Sequence, residues 1–198
     1  MYNKKEKVES IIPVAGHVAA AVEMPEDMVS KGGVIMTAHH KDKYSKGDNY
    51  NVRIVAVADD VTDIAVGDRY ITNKLAGVNI PTHGKEFIKI IDKSMLMGTN
   101  PSNEAAKCKP YHERLLVRIT SLSETTESGI IAPGSMSNPF EMDTLGGEVL
   151  AVADDVTAFK PGDVVRWEAH AGIDVDFSGE EKDLVMIPKY AVLAKIAQ

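Results

Sequence analysis

Cysteine is almost absent from this chain of 198 residues: there is one, Cys108. No disulfide can form within the chain, which fits a reducing compartment and leaves one thiol that we read as incidental. Long apolar runs are missing too. The longest stretches are under ten residues, whereas a membrane-crossing helix needs about 20. The basic start, Met1-Tyr-Asn-Lys-Lys-Glu-Lys7, is not followed by an apolar core and cleavage site, so no secretory signal is read there. Positive charge is in deficit, with 22 Lys and Arg against 29 Asp and Glu and a net charge of −7. That speaks against nucleic acid as the main partner, because binding phosphates takes a basic face. No Gly-x-Gly-x-x-Gly turn for a dinucleotide occurs either.

What is present is a repeat. Ala56-Val-Ala-Asp-Asp-Val-Thr62 returns unchanged as Ala151-Val-Ala-Asp-Asp-Val-Thr157, 95 residues later. At the same offset Gly67-Asp68 falls on Gly162-Asp163, Ala76-Gly77 on Ala171-Gly172, and Gly84 on Gly179. Collinear matches over so much of each half point to duplication, and the period suits a small domain rather than a solenoid unit. We expect modules at 1–100 and 105–198, joined at the turn-rich Gly98-Thr-Asn-Pro-Ser-Asn-Glu104. The halves differ in charge: residues 1–105 carry 13 basic and 14 acidic side chains, residues 106–198 carry 9 and 15.

Short segments rich in Val, Ile and Leu, bounded by Gly, Pro or Asp, predict an all-β barrel or sandwich. In the second half the expected strands are 114–120, 147–153, 163–169, 172–177, 183–188 and 191–197. In the first they are 52–58, 68–73, 78–82 and 86–92. The opening segment, His17-Val-Ala-Ala-Ala-Val-Glu23, is alanine-rich, and alanine is a poor strand former. We read it as a strand with a helix as the rival. Between the first and second strands of each half lies a long aperiodic segment, about 24–51 and 121–146. Such segments are functional or disordered. Each holds a glycine followed by an apolar run, consistent with a docking loop or with an extra edge strand.

His39-His40 are candidate metal ligands, but adjacent histidines in a Lys-rich stretch are more often solvated. Asp59-Asp60 and Asp154-Asp155 are candidate cation ligands or an acid–base pair. Before Val-Thr they more often shape turns. Trp167 reads as a wall residue of the β module.

The ordered set of motifs resembles the GroES-type co-chaperonins. Lys109-Pro-Tyr-His-Glu-Arg-Leu-Leu-Val117 is similar to the family's opening strand. Gly147-Glu-Val-Leu-Ala-Val152, Pro161-Gly-Asp163, His170-Ala-Gly172, Gly179-Glu-Glu181 with Leu184-Val-Met-Ile187, and Val192-Leu-Ala194 follow in the family's order. The resemblance implies two tandem GroES-like β-barrel modules, each with a long mobile loop. It implies a co-chaperonin that caps a chaperonin ring and assists ATP-dependent folding. The contact residues would be Gly32, Gly33, Val34, Ile35 and Met36 in the first module and Gly129, Ile130, Ile131 and Ala132 in the second.

ATP would be bound by the chaperonin, an unfolded client enclosed, and the chain itself assembled into a ring of seven-fold order in the cytoplasm. No catalytic residue, cofactor or metal is implied. The zinc dehydrogenases that carry a GroES-like domain need ligands and a nucleotide turn absent from this sequence. The competing class is a non-enzymatic β-barrel interaction protein, or a viral structural protein, that keeps the fold. Two departures stand out. The second triplet ends in the small Ala132, and the segment that forms the family's roof hairpin is short in both modules. The short roof resembles that of some bacteriophage co-chaperonins.

Overall fold

The computed structural model describes residues 11–23, 28–29, 35–36, 49–80, 87–120, 144–168, 170–175, 177 and 183–197. Among them the regular structure is strand and short 3-10 turn, with no α-helix. The first half supplies β1 (His17–Val22), β2 (Met28–Val29), β3 (Ile35–Met36), β4 (Asn49–Val57), β5 (Arg69–Asn73), β6 (Val78–Ile80), β7 (Phe87–Asp92) and β8 (Leu96–Thr99). Then come β9 (Lys109–Pro110), β10 (Arg114–Ile119), β11 (Thr144–Val152), β12 (Val164–Glu168), β13 (Ile173–Asp174), β14 (Leu184–Pro188) and β15 (Val192–Ile196).

Two compact units result, one around a seven-stranded sheet and one around a six-stranded sheet. The first sheet runs β6-β7-β1-β4-β5-β8-β9 and the second β13-β14-β10-β11-β12-β15. Apart from β9 the two orders are the same order, strand for strand. Both expected β modules are present, and neither closes into a barrel by hydrogen bonding among the described residues. A separate two-stranded sheet pairs β2 with β3.

The alanine-rich segment is a strand. Propensity gives way to position here, because β1 lies between β4 and β7 and pairs with both along its length. It is buried from Val18 to Val22. Ala19 and Ala21 pack with Ile88, and Ile11, Val55, Ala56 and Ile90 close around them. Small side chains let a central strand be covered on both faces. In the second unit β10 fills the same place with larger groups, and Leu115, Leu116 and Val117 are fully buried. Burial of each such side chain is worth roughly 1.5–3 kcal/mol. Around them lies a core of Val149, Val165, Trp167, Val185 and Ile187.

The copies agree in detail. β1 carries a register shift between Ala19 and Ala20, and β10 carries one between Leu116 and Val117. β5 slips against β8 at Ile71/Thr72, and β12 slips against β15 at Arg166/Trp167. The turns 58–68 and 153–163 share their bonds. Val61 N–H donates to Ala58 O and Val156 N–H to Ala153 O, each at 3.0 Å. The Asp68 and Asp163 carboxylates accept from Ala65 N–H at 3.0 Å and Lys160 N–H at 2.9 Å. Neither turn contains a strand, so the short roof segments fold as compact turns and not as hairpins.

Three expectations shift. The first module keeps a last strand, Leu96–Thr99, where the linker was expected to begin. The expected strand 172–177 contracts to Ile173–Asp174. Most other ends move by one to three residues, which is the usual fraying of strand termini.

Gly147 sits where β11 crosses β10. A Cβ there would fall against Arg118 O and within 2.7 Å of Val117 Cγ1. Overpacking of this kind costs about 1–3 kcal/mol. Gly147→Ala is therefore expected to lower the unfolding free energy by that amount, seen in urea unfolding as a lower midpoint at unchanged slope.

Candidate functional site

Each long segment leaves the sheet at the end of the central strand and returns at the start of its neighbour. In the first unit Glu23 N–H donates to Asn51 O at 2.8 Å, and in the second Thr120 N–H donates to Gly146 O at 3.1 Å. The two bonds occupy the same place in the repeat. Each ties the two feet of its segment together, so both segments are anchored at the end of their unit's central strand. At the first foot the Glu23 carboxylate also meets the Arg69 guanidinium of β5 at 2.9 Å.

Within the first segment, β2 and β3 pair antiparallel, with Met28 opposite Met36 and Val29 opposite Ile35. Two of the expected contact residues, Ile35 and Met36, thus form β3. Gly32, Gly33 and Val34, and all of Gly129, Ile130, Ile131 and Ala132, lie outside the described residues, as do His39 and His40. The strand Met28–Val29 was missed in the sequence. Its signal was there: an apolar pair, a short connection containing Gly32-Gly33, then a second apolar pair, the pattern of a hairpin with a three- to five-residue loop.

The acidic pairs lie at turns and hold backbone. Asp60 Oδ1 accepts from Gly16 N–H at 2.9 Å, and Asp155 Oδ1 accepts from Glu113 N–H at 2.9 Å. These amides belong to left-handed turns: φ is 38° at Ala15 and 75° at Gly16, and 49° at both His112 and Glu113. A left-handed conformation is costly for residues with a side chain, and in the second unit Arg114 adds support by donating to Tyr111 O at 3.0 Å and His112 O at 3.1 Å. Asp154 pairs with Lys109 at 2.7 Å. Asp60 and Asp155 thus fix the start of each central strand. Trp167 is fully buried in the second core.

Residues 107–196 match the family of the chaperonin 10 Kd subunit. The co-chaperonin GroES of Porphyromonas gingivalis is 36% identical over 77 residues, covering 37% of this chain and 82% of that protein. The chain belongs to the GroES co-chaperonin family. GroES of Ruthia magnifica is 35% identical over 94 residues, 40% of this chain and 95% of the relative. The chloroplastic 10 kDa chaperonin 1 of Arabidopsis thaliana is 36% identical over 78 residues, 39% of this chain and 55% of that protein. The family match falls on the second half, whose motifs carried the resemblance in the sequence. For a co-chaperonin the informative features are the two anchored segments.

Cys108 is 4% exposed, and burial pushes its thiol up to about 12. The thiolate is the reactive form, so almost none is present near neutral pH. Iodoacetamide at pH 8 is expected to leave the native chain unmodified and to alkylate Cys108 fully in urea, as read by intact mass.

Proposed function

We propose that this co-chaperonin is the lid of a GroEL-type chaperonin ring, holding a client polypeptide in the chamber while the ring binds and hydrolyses ATP. The lid itself does no covalent chemistry. Contact is made by the two anchored segments, through Gly32-Gly33-Val34-Ile35-Met36 in a first module of residues 1–100 and Gly129-Ile130-Ile131-Ala132 in a second of residues 105–198. The observation that carries this reading is the placement of both segments in one structural position, each clamped at its feet to a buried central strand.

The energetics suit a lid that must come off. Burial of a Val, Ile or Met side chain is worth roughly 1.5–3 kcal/mol, so a triplet supplies about 4–9 kcal/mol. Ordering the backbone costs about 1–2 kcal/mol per residue. One segment therefore nets little, and several on one rigid assembly bind together through effective concentration. The first triplet, ending in Met36, offers more apolar surface than the second, ending in Ala132, so the first module makes the stronger contact.

Assembly into a homo-oligomeric ring, seven-fold to match the partner, is the second part of the proposal. The edge strand β15 supports it. Leu193 and Ile196 are 55% and 44% exposed there, whereas Met97, at the place of Leu193 in the first sheet, is 2% exposed. An exposed apolar edge is a template for pairing with another chain. A seven-fold ring of two-module chains carries two segments for each subunit of the chaperonin, the first segment making the stronger contact. With compact turns in place of roof hairpins, its apex is thinly covered. The cytoplasm is the proposed site of action. Among the described residues no helix is long and apolar enough to cross a membrane.

A charge set into an apolar groove costs several kcal/mol unless it is paired. Ile35→Asp is expected to weaken capture by an ATP-loaded chaperonin ring at least tenfold, and Ile131→Asp to weaken it less, as measured by co-sedimentation. A double variant captured as well as the unaltered chain would place the contact elsewhere.

A further inference from the structure

Three asparagine side chains meet where the first segment returns to the sheet. We infer that Asn51, Asn100 and Asn103 form a latch through which the foot of the first segment and the linker after β8 open and close together, so that a hold on the segment is passed to the linker.

All three residues belong to the first unit. Asn100 Nδ2 donates to Asn51 Oδ1 and to Asn103 Oδ1, each at 3.0 Å, and Asn51 Nδ2 donates to Asn103 Oδ1 at 3.0 Å. Asn51 lies on β4, and its main-chain oxygen is the acceptor that ties the two feet of the segment. Asn100 is 2% exposed, and its N–H donates to Arg69 O at 2.8 Å. Arg69 closes the circuit, because its guanidinium meets Glu23 at the other foot. Both feet are thus joined to the start of the linker. Asn103 holds a φ of 56°, a left-handed conformation that costs any residue with a side chain, though asparagine least. Its amide bonds oppose that cost, and their net gain is modest because they replace bonds to water. Opposing terms of this size make a latch that opens well below the free energy of unfolding the sheet. Since Asn51 serves both the foot and the linker, ordering one lowers the entropy cost of ordering the other.

The second copy lacks the latch. By strand register Gly146 stands at the place of Asn51, and Ile196 at the place of Asn100. Neither carries an amide side chain, so the coupling belongs to the first segment. The step from segment to linker in the working protein rests on the proposal that the segments grip the chaperonin. Capture through the first segment then steadies the linker, and by linkage a steadied linker favours capture.

The test is hydrogen exchange of the full chain, read by mass spectrometry at the amides of Glu23 and Asn100. Asn103→Gly removes the side chain and keeps the left-handed turn. It is expected to speed exchange at both amides by about fivefold or more while the urea midpoint stays unchanged. Asn51→Ala is expected to do the same. Glu104→Gln, which breaks the linker's own ion pair with Lys107, is expected to leave both rates as they are. Faster exchange at Asn100 with Glu23 unmoved would overturn the latch, and so would a general loss of protection with a lower urea midpoint. In the unaltered chain an ATP-loaded GroEL-type ring is expected to slow exchange at Asn100, and in Asn103→Gly to leave it fast. If the ring captures the chain and the Asn100 amide exchanges as in the free chain, passage to the linker is overturned and the lid reading stands. If the ring does not capture the chain, the lid reading falls and passage to the linker with it, and the latch stands or falls on the free-chain rates.

Discussion

Burial of one strand on both faces is the constraint on which the rest depends. In each unit the first long strand, β1 or β10, is paired on both sides and covered above and below. The middle of a strand so placed can leave no backbone group unpaired and has no room for an unpaired polar side chain. The middle of the strand is therefore apolar, and the two copies meet that requirement differently, with alanines in the first and leucines in the second. The start of the strand is fixed by a carboxylate on a left-handed turn, Asp60 in one copy and Asp155 in the other. Its end is the foot of the long segment. The central strand of each unit is thus also the anchor of the segment proposed to bind.

Function is laid on this frame at its margins. The strand order is common to both copies, and so are the register shifts and the turns in place of a roof. Beyond the exchange of alanines for larger side chains in the central strand, what differs lies outside the cores. The first copy is close to neutral and has the fuller triplet; the second carries most of the negative charge, an apolar edge at β15 and the match to the family. A scaffold whose strand order is held in both copies while its edges and segments diverge fits the proposal that the copies take unequal shares of one task.

Much of this was legible in the sequence because glycines and aspartates punctuate it. The repeated Ala-Val-Ala-Asp-Asp-Val-Thr located both β4 and β11 and the turns that follow, since those residues serve turn geometry in both copies. β1 was harder: its alanines report poor strand propensity, and only its position between two partners makes them suitable. β8 was hidden because Gly98 and Thr99 adjoin a run of turn formers, so the strand read as linker. β2 was hidden because two residues show no period, and its meaning comes from its partner across the hairpin. Ile35 and Met36 could be named from the resemblance, whereas Met28 and Val29 emerge from pairing alone.

The central claim is that this chain caps a chaperonin ring under the control of the partner's nucleotide. Native mass spectrometry of the chain mixed with a GroEL-type ring, with and without ATP, tests it most directly. The account requires a closed assembly of the chain bound to the ring with ATP and released without it. A chain that stays unassembled, or that binds the ring equally in the absence of nucleotide, would contradict it.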